Sequence, residues 1–258
     1  MTEHALDIRS VSKQFDGMPV LDNVSITVSE GEFVALLGPS GSGKSTLFQM
    51  IGGIMRPEAG DIMVSGRQVT GERGNIAYMP QQASLLPWRT VAANVELALE
   101  IGGVPKAAAR KETRQWLARV GLGEYADAYP HVLSGGMQQR VSFIRALLSP
   151  QPLMCLDEPF GALDALTRMQ MQQWLLSIWE ENRRSVLLVT HSIEEALLLS
   201  DRIVVLSAKP ASVLREIPVP FDRPRDERLW STPLFNEMKE QIYELLKPAN
   251  GTADTGRA

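Results

Sequence analysis

The 258-residue chain has one cysteine, no long apolar run and no excess of basic charge. A single thiol, Cys155, allows no intrachain disulfide, and its place in the apolar run "LMCLD" predicts a small buried side chain. No segment approaches the roughly 18 consecutive apolar residues of a membrane span. The opening "MTEHALDIRS" lacks the charged-then-apolar pattern of a secretion signal. With this sequence, work at a membrane needs another protein to hold the chain there. Lys and Arg number 26 against 30 Asp and Glu, a net charge of −4, and no basic cluster is present. That argues against nucleic acid as a partner. What remains is ordinary globular composition, 44% hydrophobic and 22% charged, without internal repeats. The length suits one large domain or a domain with an inserted subdomain.

The first third reads as short strands. "ALDIRSVSKQF" and "LDNVSITV" alternate loosely around the turn signal "DGMP", and "EFVALLG" is a continuous apolar run like a buried strand. "GDIMVSGRQV" and "NIAYMP" read as two more. The middle is helical. Helices are predicted over 90–101, over 106–120 with Trp116, Leu117 and Val120 on one face, and over 136–148 with Met137, Val141, Ile144 and Leu148 in one stripe. "GLGEYADAYPHVL" is irregular. The last part alternates again: "PLMCLDE" and "SVLLVTH" are apolar runs flanked by helices, as in a parallel sheet. Residues 165–181 form the helix between them. Ser192-x-x-Glu195 predicts a capping box, "RIVVLSA" and "VLREIPV" add strands, and a final helix opens at Ser231-Thr232-Pro233 with Leu234, Met238, Ile242 and Leu245 inward. The end, 249–258, reads as a frayed tail.

"GPSGSGKST", residues 38–46, fits G-x-x-x-x-G-K-[ST]. Gly38, Pro39, Ser40, Gly41, Ser42 and Gly43 let backbone N–H groups turn inward around phosphate oxygens. Lys44 adds a point charge, the Ser45 hydroxyl reaches Mg²⁺, and the helix carrying Thr46 aims its positive end at the anion. Chance gives this pattern in roughly one chain in a hundred. Alone it says nucleoside triphosphate and fits a kinase, a GTPase, a helicase or a transporter ATPase. "LMCLDEPF" supplies carboxylates at the end of an apolar strand, Asp157 for the Mg²⁺ shell and Glu158 to polarise water.

"LSGGMQQR", with Ser134, Gly135 and Gly136 opening a helix, is a second anion nest about ninety residues beyond the first. With these three motifs the chain resembles an ABC-transporter ATPase subunit over nearly its whole length. The resemblance implies an α/β fold: a P-loop NTPase of ABC ATPase type, with a mixed sheet core, an N-terminal antiparallel β subdomain and an inserted α-helical subdomain. It implies a single domain over 5–248, with core and β subdomain at about 5–88 and 151–230, the helical subdomain at about 89–150 and a C-terminal helix at about 231–247. It also implies a head-to-tail homodimer on ATP binding, in which Ser134, Gly135, Gly136 and Gln138 of one copy close over ATP held by the other. Gln81 in "YMPQQ" resembles the glutamine near Mg²⁺ and the attacking water, His191 the switch histidine, Asp164 the loop that communicates across the dimer, and Phe15 the aromatic that stacks on adenine. The family more often has Tyr at Phe15 and an aromatic at Pro80.

"LLPWRTV", residues 85–91, has two readings. Trp88 is an ordinary core side chain, or Leu85, Leu86 and Trp88 form the surface that receives a membrane permease. The segment is similar to subunits of nitrate, sulfonate and taurine importers. That similarity implies permease subunits, a periplasmic solute-binding protein and a peripheral place on the cytoplasmic face of the cell membrane. Alternatives are a soluble ABC ATPase acting on DNA or ribosomes, and an exporter subunit.

Overall fold

The computed structural model describes residues 4–161 and 163–247; the tail read as frayed lies outside the described residues. The chain begins with two long strands, β1 (His4–Phe15) and β2 (Met18–Ser29), paired antiparallel. β3 (Phe33–Leu37) leads into α1 (Lys44–Ile51). Next come β4 (Ala59–Val64), β5 (Arg67–Gln68) and β6 (Ala77–Met79). The single strand expected at "GDIMVSGRQV" is therefore a hairpin. Ser65 (φ 48°) and Gly66 (φ 74°) both take left-handed backbone, as a two-residue hairpin turn requires.

Three helices follow: α2 (Val91–Ile101), α3 (Lys106–Arg119) and α4 (Gly135–Leu147). The irregular stretch before α4 contains two short 3-10 turns, Gly123–Tyr125 and Pro130–Val132. The rest alternates: β7 (Leu153–Asp157), α5 (Ala165–Asn182), β8 (Ser185–Val189), α6 (Ile193–Leu199), β9 (Arg202–Leu206), β10 (Val213–Pro218), a 3-10 turn at Glu227–Ser231 and α7 (Pro233–Leu246).

Two sheets result, ordered β2-β1-β4-β5 and β10-β9-β3-β8-β7-β6. In the larger sheet β9, β3, β8, β7 and β6 run parallel and β10 closes it antiparallel, so the sheet is mixed. Its central strands are apolar throughout because both faces are covered. Cys155 and Leu187 face the cluster shared with the antiparallel sheet and α1. Their neighbours Met154, Leu156, Val186 and Leu188 face α4 and α5. Cys155 is buried, as its setting predicts, and burial pushes its thiol pKa up.

The helical segment packs on itself through Val91, Val95, Leu117, Val141 and Ile144. The stripe of α7 begins one residue later than expected. Phe235, Met238 and Ile242 are buried, whereas Leu234 is 46% exposed. The larger Phe235 takes the inward place, its ring 5.8 Å from that of Phe221.

Candidate functional site

Four neighbouring parallel strands end on the same edge of the large sheet, where open α/β sheets bind ligands. β3 runs into the loop 38–43, β8 into Thr190 and His191, β7 into Glu158, and β6 into Pro80 and Gln81. Topology thus gathers residues that lie more than a hundred positions apart in the chain.

The loop 38–43 wraps the Lys44 side chain. The buried ammonium donates to the carbonyls of Gly38 (2.8 Å) and Pro39 (2.9 Å), and its pKa is lowered by burial against the opposing pull of Glu158 and Asp157. Gly43, the N-cap of α1, has φ 103°, and a Cβ there would stand 2.9 Å from Val20 Cγ1. Glycine is required both by the backbone and by that close approach. No side chain caps α1 and no acid lies in its first turn. Its N-terminal amides stay free to meet an anion.

Asp157 is 3% exposed and its Oδ1 has no hydrogen-bond partner. Burial pushes its pKa up; a hydrogen bond with Ser45, the charge of Lys44 and a hydrogen bond with Tyr78 partly oppose this. An orphaned buried carboxylate oxygen beside a serine hydroxyl fits a hard cation such as Mg²⁺. Among the described residues no group of three His, Cys, Asp or Glu could hold a metal. Mg²⁺ at a triphosphate does not need one, since one or two carboxylates and the phosphates themselves suffice.

Glu158 is the meeting point. Its Oε2 accepts from Gln81 Nε2 at 3.0 Å and lies 3.5 Å from His191 Nδ1. Its backbone N–H continues the ladder to Val189 O at 2.9 Å, yet its own φ is 47°. Left-handed backbone costs a residue other than glycine about 1–2 kcal/mol. Gln81 comes to Glu158, while the Gln82 carbonyl accepts from Ser84.

Other expected residues sit elsewhere. Ser134 caps α4, accepting from Met137 N at 3.3 Å. Gln138 turns back to donate to the carbonyls of Pro130 (3.1 Å) and Leu133 (3.2 Å). Gly135 and Gly136 open α4, where a Cβ on Gly135 would meet open space. Asp164 caps α5 by accepting from Thr167 N at 3.0 Å, and hydrogen bonds from the Thr167 side chain and then its backbone lower the Asp164 pKa. Phe15, 40% exposed, ends β1 opposite Met18, with Lys13 Nζ 5.3 Å from its ring centroid. Ser40 and Gly41 are exposed at the tip of the loop.

Trp88 is 72% exposed, so the core reading fails. Its loop is rigid nonetheless. The buried Asn94 amide accepts from Leu86 N (2.7 Å) and donates to the carbonyls of Leu86, Arg89 and Thr90 (3.0–3.1 Å). Asn94 and Tyr78 were missed from sequence. A polar residue within the apolar run "VAANVELAL" was the available signal for Asn94.

A model of the ABC transporter family matches residues 21–161, more than half of the chain. The chain belongs to the ABC transporter ATP-binding family. This ABC ATPase is 46% identical over 223 residues to a formylaminopyrimidine import ATP-binding protein of Halalkalibacterium halodurans, covering 86% of this chain and 87% of that one. It is 42% identical over 216 residues to a taurine import ATP-binding protein of Yersinia pestis, covering 84% and 85%. Among solved structures, a dimeric bacterial ABC transporter cassette superposes with TM-score 0.76 at 33% identity, covering 84% of this chain and all of the other. The same cassette in a post-hydrolysis state with ADP and Pi gives 0.74 at 32% identity. This ABC ATPase binds ATP with Mg²⁺ and hydrolyses it in the service of transport. Among the described residues no helix is long and apolar enough to cross a membrane.

Proposed function

We propose that this chain is the ATP-hydrolysing subunit of an importer. It works as a head-to-tail pair on the cytoplasmic face of the membrane, under a separate permease fed by a periplasmic solute-binding protein. The observation that carries the hydrolytic part is the convergence of Gln81 and His191 on one carboxylate oxygen of Glu158. In this reading Lys44 and the loop amides hold the β- and γ-phosphates, and Phe15 stacks on adenine. Glu158 orients and deprotonates the attacking water, Gln81 fixes that carboxylate, and His191 supports the γ-phosphoryl group as charge develops on its oxygens. Ser45, Asp157 and Gln81 would hold Mg²⁺, which supplies charge neutralisation at the β- and γ-oxygens. Ser134, Gly135 and Gly136 of a second copy complete the cradle from the other side, with Asp164 beside that contact.

The exposed Trp88 on its braced loop supports a docking surface for the permease, with Leu86 half-buried beside it and Leu85 packed partly on the helical core. The similarity to importer subunits favours uptake, and an anion such as nitrate, a sulfonate or taurine is the solute class proposed. The two importer subunits it resembles are named for chemically different solutes, formylaminopyrimidine and taurine. The test is to purify the tagged chain from mild-detergent extracts of its host membranes. Co-purification of an integral permease with ATPase activity supports the reading. Recovery only with soluble DNA-repair or ribosomal proteins sinks the transport claim.

A further inference from the structure

The expected capping box at Ser192 and Glu195 is only half built. Ser192 Oγ accepts from Glu195 N at 3.1 Å, as a helix cap should. The reciprocal bond, from Ser192 N–H to the Glu195 carboxylate, is not the one Ser192 makes. Ser192 N donates instead to the Thr190 hydroxyl at 3.1 Å. The Glu195 carboxylate thereby takes other partners. Its Oε2 accepts from the Thr190 hydroxyl and its Oε1 accepts from Gln172 Nε2 at 2.7 Å. Thr190, Glu195 and Gln172 are all buried.

These bonds form a chain that grips the backbone on both sides of His191. Thr190 and Ser192 are its immediate neighbours, and the Thr190 hydroxyl grips both the backbone beyond His191 and the Glu195 carboxylate. A single small crevice is lined by Glu158, Arg168, Thr190, His191, Ser192 and Glu195. The histidine side chain itself is 65% exposed, so its place rests on its loop backbone and on its approach to Glu158. Burying a carboxylate there is costly. Burial pushes its pKa up, against the hydrogen bonds of Thr190 and Gln172 and the nearby charges of Arg168 and His191.

We infer that Glu195 is a positioning residue for ATP hydrolysis: through the Thr190 hydroxyl it fixes the His191 loop, and through Gln172 it ties that loop to α5. Gln172 lies eight residues beyond Asp164, the N-cap of α5, a span of roughly 12 Å along the helix. One buried carboxylate thus makes the histidine loop and the start of α5 a single rigid unit.

This rests on the reading of His191 as a contributor to hydrolysis, so the experiment carries His191→Ala alongside. ATP turnover by the full chain is measured for Glu195→Ala, Glu195→Gln, Thr190→Val and the double variant Glu195→Ala/His191→Ala, with ATP affinity and melting temperature for each. Glu195→Ala is expected to lower kcat about tenfold or more with KM for ATP within about twofold. Glu195→Gln, which keeps an acceptor for Gln172, recovers part of the loss. Thr190→Val keeps the side-chain shape but removes the hydroxyl that joins the Glu195 carboxylate to the Ser192 amide, so it reproduces the loss even if Glu195→Ala folds poorly. In the double variant the Glu195 change adds nothing to His191→Ala, because both act through one group. Wild-type kcat in Thr190→Val, or additive losses in the double variant, overturns the inference. If His191→Ala itself turns over normally, the role of His191 falls first, and that outcome is distinct.

Discussion

α1 and α4 both start at a glycine-lined turn, yet their N-termini are finished differently. α1 begins at left-handed Gly43 with no side chain over its first amides, and Lys44, Asp157 and Glu158 gather around it. α4 begins at Ser134, whose own hydroxyl takes the Met137 amide. A helix start with free amides and a lysine at its mouth is ready for phosphate alone. A start already capped by its own serine, with no charged side chain in its first turn, is ready for little until something else presents the anion. In the proposed pairing, each copy brings a nearly complete chemical edge of its own, and its α4 start closes the site of the other copy.

The largest effect expected is at the chemical edge. Glu158→Gln should lower turnover about 10³-fold while ATP binding and ATP-dependent pairing persist, read by phosphate release and size-exclusion chromatography. Turnover within tenfold of wild type would move the base away from the end of β7. Lys44→Ala should weaken ATP binding roughly 10–100-fold, the worth of a charge-assisted contact, as checked by calorimetry. The contrast between the two helix starts is then tested by mixing. Lys44→Ala and Ser134→Arg should each be inactive alone, yet an equimolar mixture should regain roughly a quarter of the wild-type sites, since half the pairs have one intact composite site. No recovery on mixing would mean that the α4 start does not serve a second copy. The smaller effects concern the loop before α2. Asn94→Ala leaves the Leu86 N–H and the Arg89 carbonyl unmet, while the Leu86 and Thr90 carbonyls keep backbone donors, and should cost about 2 kcal/mol of stability in urea unfolding. Trp88→Ala, at an exposed site, should change stability by less than about 0.5 kcal/mol while weakening assembly with the permease. A large loss of stability in Trp88→Ala would restore it to the core.

Much of this was legible in the sequence, for identifiable reasons. The apolar runs of β3, β7 and β8 need both faces covered, which leaves few alternatives to a central parallel sheet. The phosphate loop is readable because glycine, lysine and serine are each needed at fixed spacing. Strand order is not local information: only the family resemblance put Gln81 near the water that Glu158 polarises, and nothing in its own neighbourhood announces a partner 77 residues away. In α7, Met238, Ile242 and Leu245 face the core as the spacing predicts, and only the first position differs, because the adjacent Leu234 and Phe235 are both apolar and the bulkier Phe235 goes inward. The pattern at Ser192 and Glu195 predicted a capping box. The outcome differed because Thr190, two residues before Ser192, competes for the same amide.

The backbone at Glu158 carries a consequence for breeding. Its left-handed φ of 47° suits glycine or asparagine better than a long acid. A library of this chain screened for heat resistance alone should therefore drift at that position toward Gly or Asn, gaining about 1 kcal/mol while losing the carboxylate. The acid would persist only in lineages that must turn over ATP, so its survival in a screen reports which demand was applied.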